Sequence, residues 1–206
     1  MAASYAAFGN NGIYSDAHAV KKIVYRDGKT SKSYTPDPKD AMSDSTAYMV
    51  TDMLRDVVSS KSGATGTAAN VYGLDIAGKS GTTNFSADVK AKLGLPNETA
   101  PDSWFVGYST KYSIATWSGD PARKTGLKTL TEKHIPQTLF KEVMTKVSAG
   151  KDTPGFEKPD SVVEGGNGEL YVKGETATAP TQSITTPSTQ PKEEQKTETE
   201  QPATTE

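Results

Sequence analysis

Apolar residues recur at helical spacing in two segments of this chain. The first segment runs from 43 to 59, and its apolar positions fall every three or four residues: Ala47, Val50, Met53, Leu54 and Val57. This is the period of an amphipathic helix, and Ser43 or Asp44 can cap its N-terminus. The second segment, 132–147, has the same spacing at Ile135, Leu139, Val143 and Val147. Pro136 falls in its first turn, where the missing N–H costs little.

Short apolar runs bounded by turn residues predict β-structure elsewhere. Strands are expected near 74–85, 103–109 and 113–118, the last two joined by a turn. Residues 19–25 followed by Asp27 and Gly28 predict a further strand and hairpin turn. Residues 1–8 predict the end of a helix, after which Asn11 or Gly12 can take the left-handed conformation. Together these elements predict a mixed α/β (α+β) fold, an antiparallel sheet flanked by helices.

Composition changes abruptly near residue 175. Residues 175–206 hold ten threonines, four prolines and six glutamates against two lysines, with Ile184 as the one large aliphatic residue. Such a segment cannot bury enough apolar surface to offset its ordering entropy. We therefore expect a disordered tail of net charge −4 over 175–206.

Composition and charge exclude several classes of protein. The formal net charge of −2 argues against a nucleic-acid partner, and the absence of cysteine excludes disulfide scaffolds and cysteine nucleophiles. The two histidines, His18 and His134, have no metal-binding spacing, so we expect no metal and no cofactor. No apolar run approaches the roughly 18 residues of a membrane span, and the N-terminus lacks the pattern of a signal peptide.

One stretch fits the pattern of a phosphate-binding loop. Residues 73–80 match G-x-x-x-x-G-K-[ST]. The preceding residues 67–72 are a poor buried strand, and residues 81–85 have poor helix propensity. Because a phosphate loop needs a buried strand before it and a helix after it, nucleotide binding is the less favoured alternative.

The same stretch has a second interpretation. Residues 79–82 read Lys-Ser-Gly-Thr, which resembles the third signature, K-[TS]-G, of the penicilloyl-serine transferases: penicillin-binding proteins and serine β-lactamases. Residues 2–12, 65–69 and 102–108 also look like the C-terminal part of a transpeptidase domain, in matching order and spacing. The likeness covers residues 1–156 and is strongest to bifunctional, class A penicillin-binding proteins of Gram-positive bacteria. We expect a connecting segment over 157–174, between this part and the tail.

The chemistry of the motif suits a carboxylate-binding strand. Ser80 and Thr82 are two residues apart, so their hydroxyls leave a strand on the same face, and Gly81 lets a ligand approach the backbone closely. The resemblance implies that Lys79 is catalytic and that Ser80, Gly81, Thr82 and Thr83 bind substrate. It also implies that the backbone N–H of Thr82 is an oxyanion donor.

Two further motifs of this family are missing from the sequence. No S-x-x-K and no S-x-N precede Lys79. Ser148 and Lys151 match S-x-x-K, but in the wrong order and with Gly150 in what should be a helix turn. We therefore expect a piece of a D,D-transpeptidase that lacks the nucleophile, is inactive alone and needs the N-terminal part of the domain. A non-catalytic remnant that binds peptides or β-lactams is the main alternative.

The resemblance also implies partners and a location. Expected partners are the stem peptides of peptidoglycan, the lipid-linked precursor and β-lactam antibiotics. The parent protein is expected to be membrane-anchored, to carry a glycosyltransferase domain, to face the outside of the cytoplasmic membrane and to bear on antibiotic resistance.

Overall fold

The computed structural model describes residues 1–166 and 168–175. The predicted tail from residue 176 onward lies outside the described residues. No helix within the described ranges is long and apolar enough to cross a membrane.

The chain forms helices around a three-stranded antiparallel sheet, as the pattern of apolar residues predicts. The helices are α1 (Ala2–Gly9), α2 (Asp44–Val58), α3 (Ala87–Leu93), α4 (Leu130–Lys133) and α5 (Ile135–Ser148), with a 3₁₀ turn at Thr67–Ala69. The short strands are β1 (Ile13–Tyr14), β2 (Lys22–Val24), β3 (Ser31–Ser33), β4 (Lys39–Asp40), β8 (Val162–Glu164) and β9 (Leu170–Val172). The central sheet has the order β5 (Ala77–Thr82), β6 (Asp102–Tyr108), β7 (Ser113–Gly119).

Most of the predicted elements are present with shifted ends. Ser43 caps α2 by accepting a hydrogen bond from the N–H of Thr46, and β2 pairs with β3 around the turn at Asp27 and Gly28. Asn11 and Gly12 both have positive φ, 54° and 87°, after α1. Within the predicted connecting segment 157–174, β8 and β9 form a small hairpin.

The buried face of α5 differs from the predicted one. Ile135 and Leu139 are 45% and 46% exposed, whereas Val147 packs against the core as the spacing predicts. The buried residues of the helix are Pro136, Gln137, Phe140, Met144 and Ser148. The apolar residues of this helix cover more than one stripe, so spacing alone could not decide which stripe the sheet would cover. Similarly, Met53 of α2 is 63% exposed, while Thr51 is buried.

The two faces of the sheet are covered by different helices. On one face the rings of Phe105 and Phe140 meet edge to face with centroids 4.9 Å apart, joining β6 to α5. On the other face, the hydroxyl of Tyr108 forms a 2.9 Å hydrogen bond with the Thr51 hydroxyl of α2. Burial raises the pKa of Tyr108 to about 12. The sheet is therefore held from both sides, which fixes the position of β5 at its edge.

Candidate active site

The Lys-Ser-Gly-Thr residues form the second half of the edge strand β5. Ala77 and Gly78, in the first half, are buried, whereas Lys79, Gly81 and Thr82 are exposed and Ser80 is half-buried. Because β5 pairs only with β6 among the described residues, its other edge is free of strand pairing there. Residues 79–82 therefore form the exposed half of an edge strand, which we call the open end, or open half, of β5.

The position of these residues in a strand is incompatible with a phosphate-binding loop. Such a loop needs a turn that opens a helix, so that helix N–H groups hold the phosphate. Gly78, Lys79 and Ser80 lie inside a strand instead, in register with Gly107, Val106 and Phe105 of β6.

The two glycines of β5 have different surroundings. A Cβ on Gly78 would lie 2.6 Å from the Phe105 ring and 2.9 Å from the Val106 carbonyl oxygen, so this glycine is required by packing. A Cβ on Gly81 would meet only the Trp104 Cβ at 3.6 Å, an ordinary contact. The protein's own packing therefore does not require a glycine at 81.

Lys79 and the two hydroxyl residues leave the strand on opposite faces. Ser80 lies opposite Phe105 and Thr82 opposite Ser103, on the face covered by α4 and α5, while Lys79 lies opposite Val106. The Lys79 ammonium donates a 2.9 Å hydrogen bond to the carbonyl oxygen of Ser80. The Lys79 ammonium therefore lies beside the strand backbone at Ser80, while the two hydroxyls leave β5 on the other face.

The backbone N–H of Thr82 points to the free edge of β5. The N–H of the next residue, Thr83, donates to the carbonyl oxygen of Asp102 in β6, at 3.3 Å. Successive backbone groups of a strand point to opposite sides, so the N–H of Thr82 is directed away from β6. This N–H therefore faces the edge of β5 that pairs with no strand among the described residues.

A loop that begins at Asp120 borders this end of the sheet. Asp120 accepts hydrogen bonds from the backbone N–H groups of Ala122, Lys124 and Thr125, led by that of Thr125, which lowers the pKa of Asp120 to about 2. The loop carries Arg123, whose guanidinium lies 5.7 Å from the centre of the Phe85 ring. Phe85 is buried just beyond Thr83, so the loop anchors the segment that follows the motif.

Thr65, one residue of the family-like stretch 65–69, makes a specific contact with the motif. Its hydroxyl lies 3.0 Å from the Ser80 hydroxyl. No spacing rule connects two residues fifteen positions apart in a loop and a strand, so this pair became visible only in the fold.

The other candidate motifs are not brought to this site. Ser148 is the last residue of α5, is buried, and directs its hydroxyl to the Met144 sulfur at 3.7 Å. Lys151 reaches the Tyr112 hydroxyl at 2.7 Å instead. Within residues 1–166 and 168–175, no three histidine, cysteine, aspartate or glutamate side chains cluster as metal ligands would.

Residues 1–145 match the family described as penicillin binding protein transpeptidase domain. The chain is 45% identical over 166 residues to penicillin-binding protein 1A/1B of Bacillus subtilis (strain 168), which covers 80% of this chain and 18% of the relative. It is 38% identical over 156 residues to penicillin-binding protein 1A of Streptococcus oralis, covering 75% of this chain and 24% of the relative. The chain thus spans about a fifth of the length of these relatives.

Solved structures show the same fold. The structure of PonA1 from Mycobacterium tuberculosis in complex with penicillin V has a TM-score of 0.60 and 25% identity, covering 77% of this chain and 40% of that one. The D,D-transpeptidase domain of a peptidoglycan glycosyltransferase from Eggerthella lenta has a TM-score of 0.52 and 27% identity, covering 72% of this chain and 31% of that one.

Proposed function

Because this chain belongs to the penicillin-binding protein transpeptidase family, we propose that its β5 strand forms one wall of the active site of a peptidoglycan D,D-transpeptidase. The observation that carries the proposal is the open end of β5, where Lys79, Ser80 and Thr82 lie beside a free strand edge. The match of residues 1–145 to the family supports it.

In the proposed reaction a serine attacks the penultimate D-Ala carbonyl of a stem peptide. No S-x-x-K precedes Lys79 in the sequence, so this serine belongs to sequence outside these 206 residues. Its oxygen forms an ester as the C–N bond to the last D-Ala breaks, and the leaving amine takes a proton. An amine on the stem peptide of a neighbouring peptidoglycan strand then attacks the ester and displaces the serine. This step restores the enzyme and forms the cross-link.

Each residue of the open end has a role in this proposal. The hydroxyls of Ser80 and Thr82 donate to the C-terminal carboxylate of the substrate, and Lys79 supplies positive charge and helps to pass the proton to the leaving group. The N–H of Thr82 donates to the oxyanion of the tetrahedral intermediate. Gly81 and Thr83 line the strand along which the peptide lies. β-Lactams, which carry a carboxylate and a reactive carbonyl, acylate the same serine.

The proposed setting follows from the family. Stem peptides and the lipid-linked precursor are the proposed substrates of the whole protein, and β-lactams are its proposed inhibitors. We place the whole protein at the outer face of the cytoplasmic membrane, where peptidoglycan is cross-linked.

Labelling with a fluorescent penicillin tests this function. We compare the 206-residue chain with a complete transpeptidase domain, meaning these residues preceded by the segment that carries S-x-x-K and S-x-N. The complete domain should be labelled and the chain alone should not. Lys79→Ala in the complete domain should lower the acylation rate about 100-fold, since a charge in the site is worth roughly 3 kcal/mol.

The control is Lys111→Ala, which removes the same charge from the turn between β6 and β7, at the opposite end of the hairpin from Thr82. This variant should be labelled at the rate of the unmodified domain. A stoichiometric adduct on the chain alone, for example at Ser148, would contradict the proposal. Labelling of the Lys79→Ala domain at the normal rate would contradict the assignment of Lys79 to the active site.

A further inference from the structure

The hydroxyl of Thr65 lies beside the proposed carboxylate site without belonging to β5. Thr65 is in the loop between α2 and the 3₁₀ turn, is exposed, and its Oγ1 lies 3.0 Å from the Oγ of Ser80. Either hydroxyl can donate in this pair. The role of the contact therefore depends on whether Thr65 or Ser80 is the donor in this hydrogen bond.

Thr65 is held in place from two sides. Its carbonyl oxygen accepts a 2.9 Å hydrogen bond from the side chain of Gln137 in α5. Gln137 is only 4% exposed. The N–H of the following residue, Gly66, donates to the Val57 carbonyl oxygen of α2 at 2.8 Å. A Cβ on Gly66 would lie 3.1 Å from both Val57 and the Phe105 ring, so the loop packs closely on the core. The position of the hydroxyl is thus set by the fold.

A bound carboxylate decides the direction of the hydrogen bonds. An ionised carboxylate only accepts, and a serine hydroxyl has a single proton. When Ser80 donates that proton to the carboxylate, its oxygen can only accept from Thr65. Hydrogen bonds in such a chain strengthen one another, so the Thr65 hydroxyl makes Ser80 a better donor.

We propose that Thr65 is a positioning residue of the transpeptidase site, which donates to Ser80 and so directs the Ser80 proton to the substrate or β-lactam carboxylate. This inference rests on the proposed function of β5. It adds a residue from outside the strand to carboxylate recognition, anchored by Gln137 of α5.

The test measures acylation by penicillin in the complete transpeptidase domain. Thr65→Val, which keeps the shape and removes the hydroxyl, should lower the second-order acylation rate constant about threefold to tenfold, the effect of one neutral hydrogen bond. Thr65→Ser should restore the rate. The matched control is Thr67→Val, because Thr67 is exposed in the same loop region and its hydroxyl has no hydrogen bond among the described residues. This control should react normally.

A double-mutant cycle separates positioning from a general structural effect. In a Ser80→Ala background, Thr65→Val should cause no further loss, because its partner is already gone. Penicillin methyl ester, which lacks the carboxylate, should react equally with the Thr65→Val and unmodified domains. A loss that persists in the Ser80→Ala background or with the ester would overturn the inference, as would a normal rate for Thr65→Val.

Failure of the inference can be told apart from failure of the proposed function. If Lys79→Ala and Ser80→Ala both lower acylation while Thr65→Val does not, only the role of Thr65 is wrong. If none of the three changes alters acylation, the assignment of β5 to the active site is wrong as well.

Discussion

The two halves of β5 share one backbone but have opposite surroundings. Ala77 and Gly78 are buried, and Gly78 has no room for a Cβ beside Phe105. Three residues later, Gly81 is exposed and meets only an ordinary contact. The buried half fixes the register of the strand against β6, so the open half can present hydroxyls and a free N–H without rearranging. One short strand thus combines a half that packs in the core with a half that we propose to bind the ligand.

The largest effect should come from breaking the buried half. Phe140→Ala removes the α5 ring that packs on Phe105, and we expect it to lower the free energy of unfolding by about 3–5 kcal/mol. Leu139→Ala, one position along and 46% exposed, should cost under about 1 kcal/mol. Urea unfolding of both variants measures the difference. Equal losses would show that the buried face of α5 is assigned wrongly.

The next effect concerns the open half alone. Thr82→Val keeps the backbone N–H and removes one hydroxyl, so acylation of the complete domain by penicillin should fall roughly tenfold to hundredfold, the equivalent of about 1.5–3 kcal/mol. Its unfolding free energy should not change, because Thr82 is exposed. Thr131→Val, on the exposed side of α4, is the control and should react normally. An unchanged acylation rate for Thr82→Val would show that the Thr82 hydroxyl does not bind the carboxylate.

The smallest effect compares the two glycines directly. Gly78→Ala should lower the free energy of unfolding by about 1–3 kcal/mol, because the new methyl group overlaps Phe105 and the Val106 carbonyl. Gly81→Ala should leave unfolding within about 0.5 kcal/mol and lower acylation instead. Thermal or urea unfolding and penicillin labelling of the same two proteins provide both measurements. If Gly81→Ala destabilises as much as Gly78→Ala, the two halves of β5 are not distinct.

Much of the fold could be predicted because local signals agree with tertiary packing. The cap at Ser43, the turn at Asp27 and Gly28 and the β6–β7 hairpin are each set by residues close in sequence. The face of α5 could not be predicted, because Ile135 and Leu139 are as apolar as the buried Phe140 and Met144, and the buried face also includes the polar Gln137 and Ser148. Which stripe is covered depends on where Phe105 lies, and that is a contact between distant segments.

Part of the candidate site could likewise be predicted from the sequence, and part could not. The Lys-Ser-Gly-Thr motif is contiguous, so its period of two already predicts that Ser80 and Thr82 share a face. The contact of Thr65 with Ser80 and the packing of Arg123 on Phe85 join residues far apart in sequence. Such pairs are created by the fold and carry no signal in the order of residues.

We propose that the open half of β5 receives the carboxylate and the reacting carbonyl of the ligand. A crystal structure of the complete transpeptidase domain acylated by penicillin tests it most directly. We predict that the acyl carbonyl oxygen lies about 2.7–3.1 Å from the Thr82 nitrogen and that the carboxylate accepts hydrogen bonds from the hydroxyls of Ser80 and Thr82. An acyl group whose carbonyl and carboxylate make no contact with β5 would contradict the account.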